Sequence, residues 1–127
     1  PNLWEEGLMG KIQHFTNLEI WRNSHELFLR VLDAVEEFPN TKGARIITDQ
    51  ALRSVGSIGA NISEGFNRSK KQFLNYLDIA KGSCYETENW LYKVRDAKYL
   101  PRDTANDLVR EVISINKMIH SLMRKLR

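Results

Sequence analysis

Apolar residues recur along the chain at spacings of three and four, and polar breaks divide the pattern into four segments. In the first, Ile20, Trp21, Leu27, Phe28, Val31, Leu32, Val35 and Phe38 follow a 3.6-residue repeat, which predicts a helix over Asn17 to Phe38. Thr16 and Glu19 have capping-box spacing at its start, and Pro39 ends it by lacking an N–H and restricting the residue before it. Ile47, Ala51, Val55, Ile58 and Ile62 predict a second helix over Ala44 to Glu64. Gly65 is expected to close it in the left-handed conformation, and Ser69 with Gln72 reads as a capping box for the next helix, leaving Gly65 to Ser69 as a tight turn. Phe73, Leu77, Ala80, Cys84, Leu91 and Val94 define the third helix, over Lys70 to Lys98, which Leu100-Pro101 breaks. Asp103 or Thr104 is the expected cap of the fourth, along which Leu108, Val112, Ile115, Ile119, Leu122 and Leu126 recur. No segment alternates with a period of two. Four helices joined by short turns predict an all-α, antiparallel up-down-up-down four-helix bundle.

Glycines and aromatics refine the picture. Gly56 and Gly59 inside the second helix, and Gly82 inside the third, each cost about 1 kcal/mol relative to alanine. That cost is tolerable where backbones approach, so Gly56 to Ala60 are expected against Tyr76 to Ala80 in a tight contact of the second and third helices. Tyr85, Tyr92 and Tyr99 recur every seven residues, and Trp90 lies on another face. A helix apolar around so much of its circumference needs more than one partner surface. These four aromatics are candidates for a subunit interface, where Tyr and Trp are favoured anchors, or for a broad internal face of a small bundle.

The chain has 127 residues, 42% hydrophobic and 28% charged, the balance of one soluble globular domain. The bundle domain is expected over residues 15–127, preceded by an N-terminal extension over 1–14. Met9 is itself a candidate natural start, so part of that extension reads as an upstream or expression remnant. No apolar run approaches the roughly 20 residues that span a bilayer, and no secretory signal is visible. The lone Cys84 suits a reducing cytoplasm, where it reads as a small buried apolar side chain.

The stretch Asn61 to Glu86, NISEGFNRSKKQFLNYLDIAKGSCYE, resembles the bacterial four-helix-bundle family of 23S rRNA intervening-sequence proteins, to which the accessory variability proteins of diversity-generating retroelements are related. The similarity lies in Asn61, Ile62, Glu64, Gly65, Arg68, Ser69, Phe73, Leu77-Asp78-Ile79-Ala80, Gly82, Ser83 and Glu86. It extends to Phe15-x-x-Leu18-x-x-Trp21, Phe38-Pro39 and Gln50-x-x-Arg53. Ser63 departs from the pattern, where alanine is commoner, and so does the loop Asn40 to Gly43, where an acidic residue is common. The resemblance implies a four-helix bundle assembled as a homopentamer. It marks Asn61, Glu64, Gly65, Arg68, Gly82, Ser83 and Glu86 as a structural motif, and it says more about architecture than about activity.

Formal charge is only +3 with a pI near 9.1, so distribution matters more than the sum. Arg110, Lys117, Arg124 and Arg127, with His120 among them, share one face of the fourth helix; they suit either phosphate binding or a solvated helix C-terminus. Lys70 and Lys71 stand at the N-terminus of the third helix, where cations oppose the helix dipole but favour a bound phosphate. Arg68 beside them is equally suited to pairing internally with Glu64 or Glu86. The signatures of known chemistries are missing. None of His14, His25 and His120 has a Glu three residues earlier, as a di-iron bundle requires, and there are no paired cysteines, no zinc-helix motif and no phosphate-binding glycine loop. A nucleophile built on Ser83 or Cys84 lacks a recognisable base. The reading is a non-enzymatic, cytoplasmic homo-oligomeric scaffold without cofactor or metal, binding structured RNA or an RNA–protein complex through its basic clusters. The alternative is a protein-interaction adaptor, for example one docking a reverse transcriptase, with no nucleic-acid contact.

Overall fold

A computed structural model describes residues 12–127 of the chain, so the expected N-terminal extension lies largely outside the described residues. Four helices follow one another: α1 (Glu19–Ala34), α2 (Lys42–Phe66), α3 (Lys70–Asp96) and α4 (Arg102–Leu126). Single 3-10 turns, Phe15–Asn17 and Val35–Glu37, flank α1, and no strand occurs among the described residues. Each helix packs against the next, and α4 closes back on α1, giving the up-down-up-down bundle. Leu27, Val55, Ile58, Ile62, Phe73, Leu77, Leu91, Val94, Val112, Ile115 and Ile119 meet at its centre, essentially without solvent contact.

Helix ends correct four of the sequence expectations. The Thr16–Glu19 capping box does not form: Leu18 holds the cap position of α1 with its side chain buried, and the chain ahead of it coils into the 3-10 turn. There the Nδ1 of His14 accepts from the Thr16 amide, while Arg22 Nη1 donates to the Asn17 carbonyl at 3.0 Å and holds the turn to α1. At the fourth helix Pro101 occupies the cap, and Asp103 falls inside the first turn, where its charge suits the helix dipole without capping. The third helix stops at Asp96, two residues short of expectation. Lys98 takes φ 64°, with the Tyr99 amide donating to the Val94 carbonyl at 3.0 Å and the Lys98 amide to Arg95 at 3.1 Å. This is a Schellman closure with lysine where glycine is usual.

Gly65 is the fourth correction. No glycine of the described residues has positive φ, and α2 runs straight through Gly65 to Phe66, so the turn is only Asn67 to Ser69. The expected Ser69–Gln72 capping box is present in both directions. Gly65 is required for space. A Cβ there would stand 2.5 Å from Tyr76 Cβ, so α2 and α3 can lie this close only with a hydrogen at that position.

The other glycines serve different contacts from the one expected. Gly56 receives the Phe28 ring, and Gly59 receives Ser24 and Trp21, so both admit α1 rather than α3. Gly82 faces open space. The α2/α3 contact is lined instead by hydroxyls, with Ser57 opposite Ser83 and Ser54 opposite Thr87, about one turn away from the expected register.

These environments give opposite expectations for one substitution. Gly82→Ala raises stability by about 0.5–1 kcal/mol, because it removes helix-interior glycine and meets nothing. Gly65→Ala costs about 1–3 kcal/mol, since either Tyr76 or the helix backbone must move. Urea denaturation midpoints of the two variants check both signs.

Candidate functional site

The motif residues of α2 and α3 assemble a polar seam between those helices. Asn61 Nδ2 donates to the Ser57 carbonyl at 2.7 Å and reaches Ser57 Oγ, which bonds in turn to Ser83 Oγ. One turn along, Thr87 Oγ1 bridges the Ser83 carbonyl at 2.8 Å and Ser54 Oγ at 3.0 Å, and Ser54 Oγ donates to the Ala51 carbonyl. Ser54, Ser83 and Thr87 are buried, so these bonds offset the loss of water that burial imposes. Ser54, Ser57 and Thr87 were missed from sequence. Their signal was a small-residue stripe on a different face of α2 from the glycines, and nothing in the apolar period distinguishes it.

The remaining motif residues lie outside the seam. Arg68 Nε donates to the Glu64 carbonyl at 3.0 Å, its Nη2 lies 3.9 Å from the Glu64 carboxylate, and its guanidinium covers the Tyr76 ring at 5.2 Å. Arg68 is therefore bound to its own turn, on the surface. Glu86 stands apart and accepts from Trp90 Nε1 at 3.3 Å.

The basic clusters fall on exposed surface, with unequal charge left free. Arg110 is paired with Asp107, whereas Lys117 and Arg124 on α4, Arg127 just past its end, and Lys70 and Lys71 at the start of α3 have no carboxylate partner among the described residues. Arg30, Arg53 and Arg95 are each matched by an acid, Glu111, Asp49 and Asp96. The aromatics also divide. Tyr99 packs on Phe38 with ring centroids 5.4 Å apart, and Tyr92 donates to Glu88 at 2.6 Å beneath the Arg95 guanidinium. Trp90 is half-buried, with Lys93 5.7 Å from its ring. Tyr85 remains 63% exposed, at the edge of a groove of about 320 Å³ between α3 and α4.

A model of the 23S rRNA-intervening sequence protein family matches residues 16–121. The chain belongs to this family. Its fold is shared with a protein of unknown function from the S23 ribosomal protein family of Bacteroides thetaiotaomicron VPI-5482, whose crystal structure superposes with a TM-score of 0.76 at 30% identity, covering 82% of this chain and 97% of that one. No curated protein matches.

In this intervening-sequence protein neither suggested nucleophile is activated. Cys84 is buried on the core side of α3, and its thiol is pushed up to about 12 by loss of hydration first and by the Glu88 carboxylate second. The Ser83 hydroxyl is engaged in the seam, with no histidine bonded to it. Among the described residues no group of three or more His, Cys, Asp or Glu is placed to hold a metal, and no helix is long and apolar enough to cross a membrane.

Cys84 is expected to resist a disulfide reagent at pH 8 in the folded protein and to react at least about a hundredfold faster in denaturant, as thiol titration would show. The raised value also sets a sign. The stability contributed by the neutral thiol is present below its ordinary value of 9.0 and is lost as pH rises toward about 12.

Proposed function

We propose that this protein is a non-enzymatic cytoplasmic scaffold, a homopentamer, that binds structured RNA through its basic surface clusters. The observation that carries the reading is the set of exposed cations without acidic partners: Lys117 and Arg124 on α4 and Arg127 just past its end, with Lys70 and Lys71 at the α3 N-terminus. Arg30, Arg53, Arg95 and Arg110 are each matched by a carboxylate, whereas these cations are left available to phosphate. The family description refers to 23S rRNA, which points to the same polymer.

Assembly is supported by large apolar side chains left on the outside, Leu29 and Leu32 on α1, Ile46 on α2 and Ile79 on α3, each more than two-fifths exposed. Burying them between copies recovers apolar area that a monomer leaves in water. Cyclic symmetry then repeats each basic cluster once per subunit and turns a net charge of +3 per chain into a strong field. Recognition through phosphates and shape follows, because the cations lie on rigid helices.

Light scattering after size exclusion of nuclease-treated protein, followed by titration with structured ribosomal RNA at two salt concentrations, tests this reading. A five-subunit mass and an affinity that falls steeply with salt are expected, with Lys117→Gln and Arg124→Gln each lowering the log–log salt slope by about 1. Affinity indifferent to salt, or unchanged in the double variant, overturns RNA binding. A ring that ignores RNA yet retains a protein partner after nuclease treatment assigns the surface to protein docking instead.

A further inference from the structure

The groove between α3 and α4 has a composition that neither packing nor the charged clusters explain. On the α3 side it is lined by Lys81, Tyr85 and Glu88, and on the α4 side by Ile113, Asn116, Lys117 and His120. Because the helices run antiparallel, Lys81 meets His120, with Lys81 Nζ 3.1 Å from His120 Nδ1. Lysine can only donate, so Nδ1 accepts and the imidazole proton resides on Nε2, free to donate outward. Lys81, His120 and Lys117 thus gather donors and positive charge at one end. Seven residues further along α3, about 10 Å at the helical rise, Glu88 closes the other end with an acceptor held in place by Tyr92.

Two features between these ends point to a ligand. Tyr85 stands 63% exposed, with no hydrogen bond or ring contact among the described residues. Asn116 is only 7% exposed, and its Oδ1 has no hydrogen-bond partner, the one such buried side-chain atom among the described residues. A buried acceptor without a donor is costly, and the broad terminal torsion of asparagine lets the amide turn toward the groove.

From this arrangement we infer that the groove binds a single unstacked nucleotide. The phosphate lies against Lys81, Lys117 and His120, and the base packs on Tyr85. Base N–H groups donate to Glu88 and Asn116. The groove volume is at the small end of the range for small-molecule sites, which suits one nucleotide. The base contacts follow known preferences: aromatic faces stack bases of any sequence, and carboxylates accept from exocyclic amines. The same chemistry is offered by an extruded residue of an RNA strand and by a free mononucleotide. The strand as its source rests on the RNA-binding reading above.

The protein is titrated with a fully paired RNA hairpin, with the same hairpin carrying one bulged nucleotide, and with guanosine and cytidine 5′-monophosphates. Wild type is expected to favour the bulged hairpin about tenfold, and Tyr85→Leu to abolish that preference. Tyr85→Leu is expected to keep the affinity for the paired hairpin and the subunit mass. Glu88→Gln is expected to shift the preference between bases. Mononucleotide binding lost in Tyr85→Leu, with neither hairpin bound, supports the groove while overturning RNA as its source. A bulge preference that survives Tyr85→Leu, or no preference at all, overturns the groove and leaves phosphate binding intact. A Tyr85→Leu variant that falls apart into monomers also overturns it, by assigning Tyr85 to a contact between copies.

Discussion

The structure depends on how closely α2 and α3 can approach at their shared turn. Gly65 lies directly over Tyr76, at a separation that admits no side chain, and the turn beyond it is only three residues long. Once the helices are brought together there, their rotation and axial register are fixed from that end outward. The hydroxyl seam falls into place at Ser57 and Ser83, then at Ser54 and Thr87. Phe73, Leu77, Ala80, Cys84, Leu91 and Val94 turn inward toward the core. The flank of α3 away from the seam, with Lys81, Tyr85 and Glu88, is left beside α4 along an open groove.

Charge on the surface is organised by the same geometry. Most local ion pairs lie within one helix or turn, as in Arg53–Asp49, Arg68–Glu64 and Arg110–Asp107, and each joins exposed groups. Exposed pairs add little to stability, typically less than about 1 kcal/mol. Their larger effect is to remove positive potential from the places where they occur. Among the cations left without an acidic partner are Lys117 and Arg124 on α4 and Lys70 and Lys71 at the start of α3, all exposed.

Much of this was legible in the amino-acid order. The apolar period gave four helices and the centre of the core, because burial on one side of a helix is recorded directly in spacing. It missed Leu18, Phe66, Leu100, Val109 and Met123 at the edges and included Leu32, which is exposed. Ser69 with Gln72 marked the α3 start, since a capping box is a local device whose partners are three residues apart. Local spacing misled where a long-range contact took precedence. Thr16 and Glu19 have box spacing, but burial of Leu18 places the cap there; Gly65 looks like a helix stop, but its smallness serves Tyr76, a residue 11 positions away. Gly56 and Gly59 announced a close approach without saying to which neighbour. The groove was invisible for a related reason: Lys81 and His120 are 39 residues apart, and each alone is an ordinary polar surface residue.

The hydroxyl seam also bears on uniqueness. In an all-leucine interface, sliding α3 past α2 by one turn exchanges one apolar contact for another at small cost. Here the same slide would set Ser57 against the Ile79–Ala80 step and would strip Ser54 and Thr87 of each other, leaving each only the bond to a carbonyl of its own helix. Each lost inter-helix bond costs about 0.5–1.5 kcal/mol. The seam therefore acts less as glue than as a vernier: it adds modestly to the correct alignment and penalises the neighbouring ones. The groove on the far side of α3 inherits that precision, and its two walls stay in step because the slip that would misalign them is forbidden elsewhere.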